Sequence, residues 1–207
     1  LVFYKEESRS EVYILTLFVA AGMMLLVSSA NLLMAFLALE LLSLPTYVLV
    51  GIQRRDRYSC EAALKYFLFG SFASVLFVLG VALLYGHFGS LRFAVISQQL
   101  AAQGLPSAYA QATVYAGMCL ITVASAFKIG AAPFHMWLPD AYQGAPTPVT
   151  GFMGSAIKLA GFGLLMRLLW DMFLPISKEW LPIVSTLAII TMFVGNLAAL
   201  VQTNLKR

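Results

Sequence analysis

The stretch Ser125–Lys158, SAFKIGAAPFHMWLPDAYQGAPTPVTGFMGSAIK, decides how the rest of the chain reads. It begins at the end of an apolar helical run and carries Lys128 where a bilayer would be deepest. Gly130 and Pro133 then break helical continuity, and His135 follows. Further prolines turn the chain before a second apolar run brings in Lys158. Inside a membrane this pattern is costly twice. An ionised side chain is expensive there. Broken backbone is tolerated only where protein buries it or it lines a wet cavity. A charge kept beside such a break points to a use for the charge.

The composition sets the solvent. Of 207 residues, 61% are hydrophobic and 11% charged, with a mean hydropathy of +0.86. A soluble domain is nearer half apolar and a quarter charged. The apolar residues fall into runs of roughly 20, long enough to cross a ~30 Å hydrocarbon core. No ten-residue alternation of polar and apolar residues appears, which excludes a β-barrel. The expected class is all-α, a polytopic transmembrane helical bundle. The net charge of +4 comes from basic residues at loop ends and gives no reason to expect nucleic acid. Cys60 and Cys119 have neither pairing nor metal spacing and read as small apolar residues. The chain lacks an initiator methionine and a signal-peptide pattern, and its NLKR end resembles a loop entrance. It reads as the middle of a longer chain.

Six spans are expected, at about Val12–Ser28, Asn31–Ile52, Cys60–Tyr85, Tyr109–Gly130 (continuing brokenly to Tyr142), Pro148–Trp170 and Trp180–Gln202. Between Gly86 and Ser107, the piece LRFAVISQQLAAQ has a helical apolar stripe and suits a short interfacial helix. Lys5, Arg9, Arg54, Arg55, Arg57, Lys206 and Arg207 fall on one side of this arrangement, against Arg92, Arg167 and Lys178 on the other. The richer side is the cytoplasmic one or its equivalent. Trp137, Trp170 and Trp180 lie near predicted span ends and read as interface aromatics.

Four ionisable residues remain inside spans: Glu40, Lys65, Lys128 and Lys158. Each costs at least ~2.5–3.5 kcal/mol at a helix centre and is a functional candidate by default. Glu40 either pairs with a lysine for packing or modulates a lysine's charge. Lys65 either snorkels to Glu61, four residues back, or reaches inward to Glu40, one to two turns deeper. Lys128, beside the break, matches the discontinuous helices that mark ion sites in transporters. Lys158 sits among Gly151, Gly154, Ser155 and Ala156, small residues that favour close packing, and is expected to face the bundle interior. Burial disfavours a lysine's charged form and a neighbouring carboxylate favours it, so such lysines suit proton relay. His135 either shuttles protons between them or caps the helix break. No phosphate loop, metal cluster or hydrolase triad is recognisable. Only His87 and His135 exist as axial ligands for a haem, so no redox cofactor is expected in this chain.

These residues resemble a known family. The run PFHMWLPDAYQGAPTPVT, Pro133–Thr150, together with LELLSLPTY, ALKYF and SAIKLAGF, is similar to the antiporter-like membrane subunits of respiratory complex I, the proton-pumping NADH:quinone oxidoreductase. DAYQGAPTPVT followed by the lysine of SAIKLAGF points to the N-type branch, also called subunit 2, whereas PFHxWLPDA is shared with cation/proton antiporter subunits. The match spans nearly the whole chain.

The resemblance implies a fold of two inverted five-helix repeats. Residues 1–178 would form the first repeat, with its discontinuous helix near 128–140, and residues 179–207 the first helix of a second. It implies a proton relay of Glu40, its paired Lys65, Lys128 and the connecting Lys158, with His135 among them. It implies no cofactor or metal in this chain, with NADH, FMN, Fe–S clusters and quinone handled by partner subunits. The partners would be other complex I membrane subunits and the lipid bilayer. The location would be a bacterial inner membrane or an organellar energy-transducing membrane. A multi-subunit Na+/H+ antiporter and a scaffold whose charges only fix packing are the other readings.

Overall fold

The computed structural model describes residues 9–206. Lys5 and Arg207, counted above among the basic side, lie outside the described residues. The chain folds as helices α1 (Arg9–Ser28), α2 (Leu32–Val50), α3 (Arg57–Phe88), α4 (Phe93–Gln103), α5 (Ala108–Ile129), α6 (Leu138–Gly144), α7 (Thr147–Phe152), α8 (Lys158–Arg167) and α9 (Ser177–Leu200). Six helical stretches among the described residues are long and apolar enough to cross a membrane, as expected. One of them, Thr147–Met172, joins α7 and α8 through a π-helical turn at Met153–Ile157 and ends in a second at Leu168–Met172. Neither π turn was expected.

Local chemistry fixes the helix starts. The Asn31 side chain accepts the Met34 N–H at 2.7 Å and opens α2. Asp56 accepts from Tyr58 N–H at 3.0 Å to open α3, and Ser107 from Ala110 N–H at 3.1 Å to open α5. Each satisfies one of the donors a helix leaves orphaned at its start. At the centre of the bundle α3 packs on α5, and α1 on α2. A Cβ on Gly80 of α3 would sit 2.8 Å from the Gly117 carbonyl of α5, so this crossing needs a glycine. The outward faces of α1, α3 and α9 carry exposed residues such as Leu17, Phe72 and Phe193, suited to hydrocarbon.

The two ends of the bundle match the charge count. At one end Arg54, in the α2–α3 loop, pairs with Glu11 of α1 at 3.5 Å, and Lys206 donates to the Ala145 carbonyl at 3.0 Å. At the other end the α1–α2 and α3–α4 links are stitched by Leu32 N–H to Leu91 C=O (2.9 Å) and Phe93 N–H to Ala30 C=O (3.1 Å). Arg167 donates there to the Val27 carbonyl at 2.9 Å.

Two expectations are corrected. The apolar stripe of α4 (Phe93, Ile96, Leu100) is buried against the segment around Leu168–Ile176, so it packs into protein instead of lying in the interface. Trp137 is 3% exposed, stacked on Tyr66 with ring centroids 4.3 Å apart, and its indole N–H donates to the Phe127 carbonyl at 3.2 Å. It plugs the helix break and is not an interface aromatic. Trp180 is buried as well, donating to the Phe173 carbonyl at 2.9 Å, while Trp170 is exposed.

Candidate functional site

α5 stops where the sequence broke. Gly130 has φ 74°, the left-handed conformation that ends a helix and suits glycine. The chain then runs non-helically to Leu138, where α6 begins. Ala132 N–H in this gap is satisfied at 3.0 Å by the Thr191 hydroxyl of α9. Broken backbone at membrane depth is thus covered by a neighbouring helix, as it must be.

Lys128 sits in the last turn of α5 and is 3% exposed. Its Nζ donates to the Ser43 hydroxyl of α2 at 2.8 Å and approaches the Tyr66 hydroxyl of α3 at 3.5 Å. It also lies 5.8 Å from the centre of the Tyr66 ring, a cation–π distance. Glu40, one turn before Ser43, accepts a hydrogen bond from the Ser74 hydroxyl of α3. Lys158 begins α8 directly after the Met153–Ile157 π turn. Its Nζ donates to the Ile129 carbonyl and lies 5.7 Å from the Trp137 ring centre and 6.0 Å from that of Tyr142. Buried Lys128 therefore sits between two half-buried charges, with Glu40 one turn from its Ser43 partner and Lys158 gripping the carbonyl of the residue after it.

Lys65 does not join that cluster. It pairs with Glu61 at 2.7 Å and with Asp140 of α6 at 2.9 Å. The pairing with Glu40 expected from the sequence is corrected for a reason of depth. Glu40 meets α3 at Ser74, nine residues beyond Lys65. At 1.5 Å per residue that is about 14 Å along the helix, farther than a lysine reaches. Lys65, Glu61, Asp140, Tyr58 and Gln143 instead line a cavity of about 210 Å³ near the basic end. His135 is apart from both groups. Its Nδ1 is buried without a hydrogen-bond partner among the described residues, as is the Tyr142 hydroxyl. Both residues line a cavity of about 220 Å³ shared with Gly130, Thr191 and Gln202. A cavity with orphaned polar atoms and this volume has room for bridging water.

The sequence reading passed over Ser43, Ser74, Tyr66 and Asp140, and took Trp137 for an interface aromatic. Ser43 had one usable signal, its place three residues after Glu40 on the same helix face. Asp140 had another, an acid directly after Pro139 at a helix start. Ser74 and Tyr66 carry no signal in a single sequence. Among the described residues no three His, Cys, Asp or Glu side chains converge as a metal site would require.

A family model described as NADH:quinone oxidoreductase/Mrp antiporter, TM, matches residues 29–207. A Parafrankia protein named NADH-quinone oxidoreductase subunit N is 46% identical over 200 residues, which are 96% of this chain and 37% of that protein. NADH-quinone oxidoreductase subunit N 1 of Koribacter versatilis is 46% identical over 205 residues, 98% of this chain and 40% of its own length. Among solved structures, a chain of respiratory complex I from Thermus thermophilus with bound aureothin superposes with a TM-score of 0.79 at 39% identity, covering 97% of this chain and 42% of that one. A chain of the membrane-bound sulfane sulfur reductase, an archaeal respiratory membrane complex, gives 0.68 at 29% identity, over 77% of this chain and 31% of that one. The chain therefore spans just over a third of the length of the curated relatives it matches.

Proposed function

This chain belongs to the NADH:quinone oxidoreductase/Mrp antiporter transmembrane family, and on that premise we propose that it is part of a proton-translocating N-type subunit of an NADH:quinone oxidoreductase. The carrying observation is Lys128, a lysine 3% exposed at the end of a broken membrane helix, bonded to Ser43 one turn from Glu40, with Lys158 bonded to the carbonyl of the next residue. A charge held there without a function would cost stability for nothing. In this reading Lys128 takes up and releases a proton as its distance from Glu40 changes, because an approaching carboxylate favours the charged amine and burial disfavours it. Lys158 is the next station, since its ammonium is bonded to the Ile129 carbonyl beside Lys128. His135 and the cavity it lines with Tyr142 lie on the α9 side and offer water and an imidazole for onward transfer. The Lys65–Glu61–Asp140 group stands nearer the basic end and fits an entrance to the relay.

The names of the curated relatives favour the oxidoreductase over the Na+/H+ antiporter. Redox chemistry would then sit in partner subunits, with this chain contributing no redox centre. Partners would be further membrane subunits of the complex, in a bacterial inner membrane. Residues 1–178 would form the first five-helix repeat, and α9 would open the second. The test is co-purification of the full-length protein with identification of its partners by mass. Flavin- and Fe–S-bearing subunits with NADH oxidation support the assignment. Sodium-dependent transport with no such partners overturns it.

A further inference from the structure

Glu40 and Lys128 are natural counter-ions on facing helices, yet each is hydrogen-bonded to a serine. Lys128 Nζ donates to Ser43 Oγ at 2.8 Å, and the Ser74 hydroxyl donates to the Glu40 carboxylate. Ser43 is fully buried and in turn donates to the Leu39 carbonyl one turn back, at 2.5 Å. That second bond turns the Ser43 lone pairs toward Lys128 and fixes the hydroxyl as an acceptor. Ser43 follows Glu40 by three residues, so the two acceptors offered to Lys128 are stacked on one face of α2. A neutral hydroxyl satisfies one ammonium proton without neutralising the charge, whereas a carboxylate does both.

We propose that Ser43 and Ser74 are positioning residues that hold Lys128 and Glu40 apart, Ser43 by accepting from the ammonium and Ser74 by occupying the carboxylate. Moving the lysine from Ser43 to Glu40 is then a shift of one acceptor along a single helix turn. Both acceptors ride on α2, three residues apart. Without the Ser43 hydroxyl the ammonium keeps only the Tyr66 hydroxyl, at 3.5 Å, and the Tyr66 ring as partners away from Glu40, and the closed ion pair is favoured. A cavity of about 10 Å³ beside Ser43, Gly70 and Lys128 is at the lower edge of what one water requires. The hydroxyl is therefore not readily replaced by solvent while its volume is kept.

This inference rests on the relay reading of Lys128, and the experiment separates the two. In the full-length subunit within its assembled complex, Ser43→Thr and Ser43→Val add the same bulk and differ only in the hydroxyl. Complex yield and the rate of NADH-driven proton pumping are measured for both, with Lys128→Ala alongside. Loss of one hydrogen bond to a charged group corresponds to an effect of about tenfold or more on a rate. The expected result is that Ser43→Val pumps protons about tenfold or more below the rate of Ser43→Thr at equal complex yield. Equal pumping by the two variants, whether high or low, overturns the role given to Ser43. Normal pumping by Lys128→Ala overturns the relay reading itself. Loss in Lys128→Ala with equal pumping by the two Ser43 variants removes only the serine inference.

Discussion

Replacing Gly130 with alanine strikes the broken helix in two ways. Gly130 adopts φ 74°, where a side chain costs about 1–2 kcal/mol. The added methyl would also run into Leu138 Cδ1 and Lys158 Nζ. Either the start of α6 shifts or the Lys158 ammonium leaves the Ile129 carbonyl. Losing a hydrogen bond made by a charged donor costs about 1.5–3 kcal/mol. The two effects together come to about 2.5–5 kcal/mol, near the upper end of what one substitution does. Gly151→Ala is the matched control, since Gly151 is helical, has open space around its missing Cβ and stands to gain up to about 1 kcal/mol of helix propensity. Thermal denaturation of the full-length subunit in its purified complex reads the stability difference, and proton pumping in proteoliposomes reads the displacement of Lys158. Gly130→Ala should lower the melting temperature and impair pumping, while Gly151→Ala should melt at the same temperature or slightly higher and pump normally. A Gly130→Ala complex that melts and pumps like its parent would refute the geometry given to the break.

Trp137→Ala removes a buried ring stacked on Tyr66 and should cost about 3–5 kcal/mol. Trp137→Phe keeps a ring but loses the bond to the Phe127 carbonyl and part of the buried bulk, about 1–3 kcal/mol, so thermal denaturation should rank alanine below phenylalanine. Lys65→Ala and Asp140→Asn should each slow pumping, because each opens the tie between α3 and α6. Lys65→Arg, which keeps a charge able to reach both Glu61 and Asp140, should retain most of the rate, and a Lys65→Arg variant as slow as Lys65→Ala would show that pairing is not what Lys65 supplies.

The membrane class, the six spans and the break were legible because each rests on a signal that one sequence carries. Runs of about 20 apolar residues admit one reading, and Lys128 beside Gly130 and Pro133 cannot be absorbed into an ordinary span. What failed depended on depth and on partners. Lys65 was brought to Glu40 by counting along two helices from a shared loop, a count too coarse to exclude a gap of about 14 Å. Trp137 looked like an interface residue because the break resembles a span end, although the indole fills the space between α3 and the broken helix. The stripe of α4 reads the same whether it meets lipid or protein. The π turn before Lys158 has no motif. The serines that hold Glu40 and Lys128 come from α2 and α3, and only the folded bundle brings them to those charges.

The central claim is that Lys128 carries protons, and it is tested most directly by NADH-driven acidification in proteoliposomes holding the full-length Lys128→Ala subunit in its complex. Complex yield and NADH oxidation with an artificial electron acceptor serve as the assembly controls. A relay through Lys128 predicts pumping abolished or sharply reduced at normal assembly. Full pumping in an assembled Lys128→Ala complex would contradict it, and pumping and assembly lost together would assign the buried charges to packing.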